Sequence, residues 1–226
     1  MPSGVGPLLI LDGGLESLVA LSCTSDDAVA IGSQRAAGPC ATVWLAPLGV
    51  ESHRQRRDAV GRQAVLLNAK LVGGLSNDEG NSHSAQNDQA SGLHPQSRML
   101  LDAAEQARRC GCTRIIWPVH AGAAIDSESI EVDRAALSID RALLVEQLTN
   151  LDAPTSAARI SIETPYVDLS DRQLAELAAD VSVPLKTLWW WGRSGDEAQR
   201  AHERWDALFR MVGLVHADRE LAAERG

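Results

Sequence analysis

The chain has 226 residues, 45% of them hydrophobic and 23% charged, which is the balance of an ordinary folded protein and the size of one large domain or two small ones. A disordered or fibrous chain is thereby excluded. The formal charge of −9 at pH 7 opposes non-specific attraction to nucleic acid phosphates or anionic lipid, so neither nucleic acid nor a membrane surface is expected as a partner.

The first apolar run, Pro7 to Leu11, is continuous, which suits a strand buried on both faces, and it ends in Asp12-Gly13-Gly14. It is too short for a signal sequence and lacks a basic flank, and nowhere do about eighteen apolar residues follow one another. The expectation is a cytoplasmic protein with reduced thiols. Leu15 to Cys23 then reads as a helix, Ala41 to Ala46 as a second strand, and Ser52 to Val72 as a helix with an arginine-rich first half. Strand, turn and helix in alternation predict an α/β fold with a mostly parallel sheet.

Ser76 to Ser97 is almost devoid of apolar residues and reads as a long mobile loop, either a lid or binding loop or a variable insertion. Arg98 to Arg109 carries Met99, Leu100, Ala103, Ala104 and Ala107 at helical spacing, with Gly111 as a stop signal. Thr113 to Val119 is a third strand, interrupted by Pro118. Ser129 to Leu148 follows as an amphipathic helix and Ile160 to Ile162 as a short strand. Ser170 to Asp180 is a helix in which Ser170 and Gln173 have the spacing of a capping box. Asp196 to Val212 is the last helix, with Trp205, Leu208, Phe209 and Val212 on its apolar face, and it runs into a charged tail expected to fray. With no internal repeat and no compositional linker, residues 1–226 read as a single domain.

Cys23, Cys40, Cys110 and Cys112 lie in the first half of the chain. The C-x-C pair at Cys110 and Cys112 falls where helix gives way to strand and reads as turn packing, because a redox pair or metal site would want C-x-x-C or further ligands. The turn after the first strand says more. Backbone N–H groups of Gly13-Gly14 and the start of the helix would point into the crevice at the strand's carboxyl end, an arrangement suited to an anion; the same glycines also fit a plain left-handed turn.

In context, Leu9 to Leu21 (LILDGGLESLVAL) resembles the PP-loop motif, S-G-G-x-D-S, of N-type ATP pyrophosphatases. Ile162 to Ser170 (IETPYVDLS), Leu174 to Leu177 and Val183 to Trp189 (VPLKTLW) resemble the C-terminal third of the 7-cyano-7-deazaguanine synthase family. Pro95 and Arg98 ahead of Met99-Leu100-Leu101, and the arginine-rich helix with His53, fall where that family has similar residues. The resemblance implies a Rossmann-like three-layer fold of the adenine nucleotide alpha hydrolase type, with a helical C-terminal appendage over 189–226, in a homodimer. It implies an ATP-dependent C–N ligase of queuosine biosynthesis that adenylates a small carboxylate substrate and transfers ammonia to it. ATP and magnesium would be the cofactors, and Asp12, Gly13, Gly14, Leu15, Glu16, Ser17 and Arg98 the nucleotide-binding residues.

The chain departs from that pattern in four places. Asp12 stands where the motif has a serine, so a hydroxyl donor becomes a negatively charged acceptor. Glu16 replaces the motif's aspartate by a longer side chain. The family's four C-terminal cysteines are missing between Trp190 and Arg204, so no zinc is expected; His202 alone reads as solvated surface, and Trp189, Trp190 and Trp191 read either as packing or as a stacking platform for a base. The family's substrate segment is absent after the third strand, where His120 and Asp126 read either as polar groups of an altered pocket or as satisfied loop residues. Two readings of function stand: the ligase, or another PP-loop enzyme that thiolates or amidates something else, and a nucleotide-binding or protein-interaction homologue that has kept the fold and lost the chemistry.

Overall fold

A computed structural model describes residues 6–30, 39–46, 52–73, 93–122 and 126–214. Five short strands form one sheet: β1 (Leu8–Leu11), β2 (Thr42–Leu45), β3 (Lys70–Val72), β4 (Arg114–Ile116) and β5 (Ser161–Glu163). Among the described residues six helices cover it: α1 (Leu15–Ala30), α2 (His53–Leu66), α3 (Pro95–Cys110), α4 (Val132–Leu151), α5 (Asp171–Asp180) and α6 (Asp196–Met211). Every strand pairing is parallel, in the order β3-β2-β1-β4-β5. The architecture is the expected α/β, Rossmann-like three-layer fold.

The sequence of β1 shows why. Leu9 and Leu11 join one apolar cluster with residues of α1, α2, α5 and α6, whereas Leu8 and Ile10 join a second cluster with Leu100, Ala103, Ala104 and Ala107 of α3 and Ala142 and Val145 of α4. Because side chains alternate along a strand, a run without polar residues fits only where both faces are covered. The strand order reverses beside β1: the chain moves outward through β2 to β3, then returns along α3 to place β4 on the other side of β1. A crevice opens at such a reversal, outside the carboxyl ends of β1 and β4.

Several boundaries differ from the sequence reading. The helix expected to reach Val72 stops at Leu66, and Lys70–Val72 pairs with β2 instead. Asn68 takes φ 51°, a left-handed conformation that asparagine tolerates and that breaks the helical path. Helix α3 begins at Pro95 rather than Arg98, with the His94 side chain accepting from the Gln96 N–H and proline at the first position. The expected loop is therefore shorter at its C-terminal end, and its residues 76–92 lie outside the described residues, as does the charged tail from 215. Helix α4 starts three residues late because Asp126 accepts the Glu128 and Ser129 N–H groups in a turn of its own. Asp126 is thus a satisfied loop residue. The capping box at Ser170 and Gln173 is present with both hydrogen bonds, and Gly111 ends α3 at φ 74°.

The tryptophan run packs. Trp189 and Trp190 are buried, Trp190 stacks on Phe209 with ring centroids 6.1 Å apart, and Trp205 also stacks on Phe209. His202 lies edge-on against Trp190, half-buried, and so is not simply solvated surface. These aromatics share the cluster of Leu9 and Leu11, which makes α6 a part of the main core. The four cysteines form no disulfide; Cys112 is buried, and Cys110 Sγ accepts from Gln106. Among the described residues no helix is long and apolar enough to cross a membrane.

Candidate functional site

The crevice outside β1 and β4 is a cavity of about 240 Å³ lined by Ile10, Leu11, Asp12 and Glu16 on one side, by Trp117 to His120 on the other, and by Ala46, Met99 and Arg134. Strand β1 delivers Asp12 to its floor and the first turn of α1 delivers Glu16. The four residues after β4 carry His120 in from the opposite wall.

The turn is filled by the chain's own side chains. Asp12 folds back over it: Oδ1 accepts the Gly14 N–H at 2.8 Å and the Ser17 hydroxyl at 2.7 Å. Its other oxygen, Oδ2, lies 3.0 Å from Arg56 Nη1. Had Gly14 a Cβ, that atom would lie 3.0 Å from Asp12 Oδ1 and 3.1 Å from Glu16 Oε2. The missing side chain thus makes room for two carboxylates to converge over the start of α1. Gly13 serves the scaffold. It sits at φ 80°, its carbonyl accepts the Trp189 N–H at 3.1 Å and Gln63 Nε2 at 3.3 Å, and a Cβ would press on Arg56, Ala59 and Trp189.

Arg56, from the arginine-rich helix α2, holds this arrangement. Its guanidinium lies 4.0 Å above the Trp189 ring, its Nε donates to Ser52 Oγ, and Nη2 reaches Glu197 of α6 at 2.6 Å. Only 13% of its side chain is exposed, so the cation sits where it neutralises Asp12 and Glu197 together.

Behind the cavity lies a second ionic group. Arg204 of α6 grips Asp171 through two hydrogen bonds of 2.7 Å, and the Asp171 carboxylate is buried. His120, with 2% of its side chain exposed, stands between this pair and Glu16: Nε2 is 3.6 Å from Asp171 Oδ1 and Nδ1 is 3.8 Å from Glu16 Oε1. Nε2 has no hydrogen-bond partner among the described residues. Gly122 lets these groups meet, since a Cβ there would fall 1.9 Å from Asp171 Oδ1 and 2.5 Å from His120 Cε1.

Burial pushes the His120 imidazole below its ordinary value, against the pull of Asp171, and keeps it neutral. Burial first, and then the Asp12 charge, push Glu16 up to about 7. Glu16 therefore changes charge near neutral pH while facing the cavity.

Of the expected nucleotide-binding residues, Asp12 to Ser17 come together at the turn, with Leu15 buried in the core beneath it. Arg98 lies on α3, whose Met99 rather than Arg98 lines the cavity. Magnesium is poorly accommodated, because three of the contacts that Asp12 offers are taken and the position of a counter-cation is held by Arg56. Among the described residues no three His, Cys, Asp or Glu side chains are grouped to hold a metal ion. Arg56, Gln63, Arg134, Asp171, Glu197 and Arg204 escaped the sequence reading; only the density of arginines in α2 gave any sign of them. A scan against protein-family models and a search of curated proteins both find no match to this chain.

Proposed function

We propose that the chain is a diverged PP-loop-type α/β protein, a homologue of the 7-cyano-7-deazaguanine synthases, that has given up ATP-driven adenylation and works as a small-molecule-binding protein through the crevice beside β1. The observation that carries this reading is the Asp12 carboxylate lying in the glycine turn, hydrogen-bonded to Gly14 and Ser17 and paired with Arg56. A departing pyrophosphate needs N–H and hydroxyl donors aimed at it. Here those donors already serve a carboxylate, and Glu16 adds a second acid beside it.

The alternative is an active ATP-dependent ligase acting on a small carboxylate. The switch-point crevice and the left-handed Gly13 favour it, and it requires Asp12 to swing out of the turn and release Arg56. Incubation of the protein with ATP, Mg²⁺, ammonium and a panel of carboxylic acids, deazapurine carboxylates included, tests the two. No AMP above the protein-free control is expected. Acid-dependent AMP release would establish the ligase.

A further inference from the structure

Of the four ionisable residues that line the cavity, Asp12, Glu16, His120 and Arg134, the carboxylate of Glu16 and the guanidinium of Arg134 are not paired with each other. Glu16 reaches it from α1, and the groups facing that carboxylate from the surrounding elements are Asp12 after β1, His120 after β4, Asp171 of α5 and Arg204 of α6. Arg204 is committed to Asp171 and Arg56 to Asp12 and Glu197, so among the described residues no arginine or lysine ion-pairs with Glu16, although the nearby Arg204 charge favours its carboxylate. Arg134 of α4 lines the same cavity, and its side chain makes no ion pair among the described residues. The apolar side chains of Ile10, Met99, Trp117 and Val119 line the same cavity.

We infer that the cavity binds a small zwitterion of the α-amino acid class, its ammonium against Glu16 and its carboxylate against Arg134, with the side chain on the apolar wall. This rests on the reading of the crevice as a small-molecule site. The ligand supplies to each protein group the partner it lacks, and its two charges cancel, so a net-negative chain does not repel it. The Glu16 carboxyl, pushed up to about 7 by burial and the Asp12 charge, ionises more readily beside an ammonium group. The volume of about 240 Å³ lies below the roughly 300 Å³ at which drug-sized pockets begin, which selects a molecule of amino acid size over a nucleotide.

The test is calorimetric titration of the full chain at about pH 8, where Glu16 is charged, with each protein amino acid in turn. The best binder is then compared with the amine left by removing its carboxylate and the acid left by removing its amino group. Both truncated molecules are expected to bind at least about tenfold more weakly than the parent. Arg134→Gln, on an exposed side chain, is expected to weaken the amino acid about tenfold and leave the amine unchanged, whereas Glu16→Gln weakens the amino acid and the amine but spares the acid. The inference is overturned if no amino acid binds below about 10 mM, if either truncated molecule binds as well as the parent, or if Arg134→Gln leaves the amino acid unaffected. A parallel titration with Mg²⁺-ATP separates the outcomes: ATP binding would defeat the proposed function, while failure of both titrations would defeat only the zwitterion.

Discussion

Replacing Glu16 by glutamine keeps the shape of the side chain and removes its charge. Glu16 titrates at about 7 in the folded chain against an ordinary value of 4.5, so the folded state binds its proton more tightly than the unfolded state does. The sign follows: this group lowers stability as pH rises from about 4.5 to about 7, leaves it unchanged above that range, and has no effect well below it. A shift of that size corresponds to about 3 kcal/mol at alkaline pH. Glu16→Gln is therefore expected to be more stable than the native chain by up to about 3 kcal/mol at about pH 8 and equal to it near pH 4.5. Urea unfolding followed by tryptophan fluorescence at a series of pH values gives both curves. His120 contributes the opposite slope, because burial favours its neutral form; stability from that source is lost as pH falls below about 6.5, and it remains visible in the glutamine variant once Glu16 is silent. A variant no more stable than the native chain at pH 8, or a stability difference independent of pH, would refute the argument that Glu16 is held desolvated beside Asp12.

Other substitutions test the supports of the site. Gly122→Ala forces a methyl group onto Asp171 and His120 and is expected to cost at least about 3 kcal/mol, as overpacking and a disturbed buried ion pair combine; a change under about 0.5 kcal/mol in the same urea assay would show that Gly122 does not gate that contact. Trp190→Ala removes the ring stacked on Phe209 in the main core and is expected to cost about 3–5 kcal/mol; a loss below about 1.5 kcal/mol would mean that the tryptophan run is not packing. Ser170→Ala deletes the side-chain half of the capping box and is expected to cost about 1 kcal/mol, read as a shift of the urea midpoint with an unchanged slope. Ser170→Thr should recover most of it.

The fold was legible where the sequence carried unmistakable period or chemistry. Leu8 to Leu11 announced a strand covered on both faces, and Ser170 with Gln173 announced a helix start. Strand β3 was missed because Lys70–Val72 is three residues long and follows a helix without a glycine or proline between them; the break depends on Asn68 alone. At the site, the diglycine was visible but its occupant was not. An aspartate beside a glycine turn expected to hold an anion reads as repulsion until the fold shows a cation next to it, and Arg56 comes from α2, 44 residues away. Long-range pairings of this kind, like that between Arg204 and Asp171 across 33 residues, leave no local spacing to read. The role of Gly122 was hidden for the same reason, since the atoms that exclude a side chain there belong to α5 and to the loop after β4.

Asp12 fills the turn, and calorimetric titration of the native chain and of Asp12→Ser with Mg²⁺-ATP tests the consequence directly. Placing a hydroxyl there removes the carboxylate from Gly14 and Ser17, frees Arg56 from Asp12, and lowers the field on Glu16. The native chain is expected to show no binding heat up to about 1 mM nucleotide, and the serine variant to bind measurably more tightly. Binding by the native chain that is weakened in Asp12→Ser would contradict the account, because it would show that the aspartate holds the metal and nucleotide instead of displacing them.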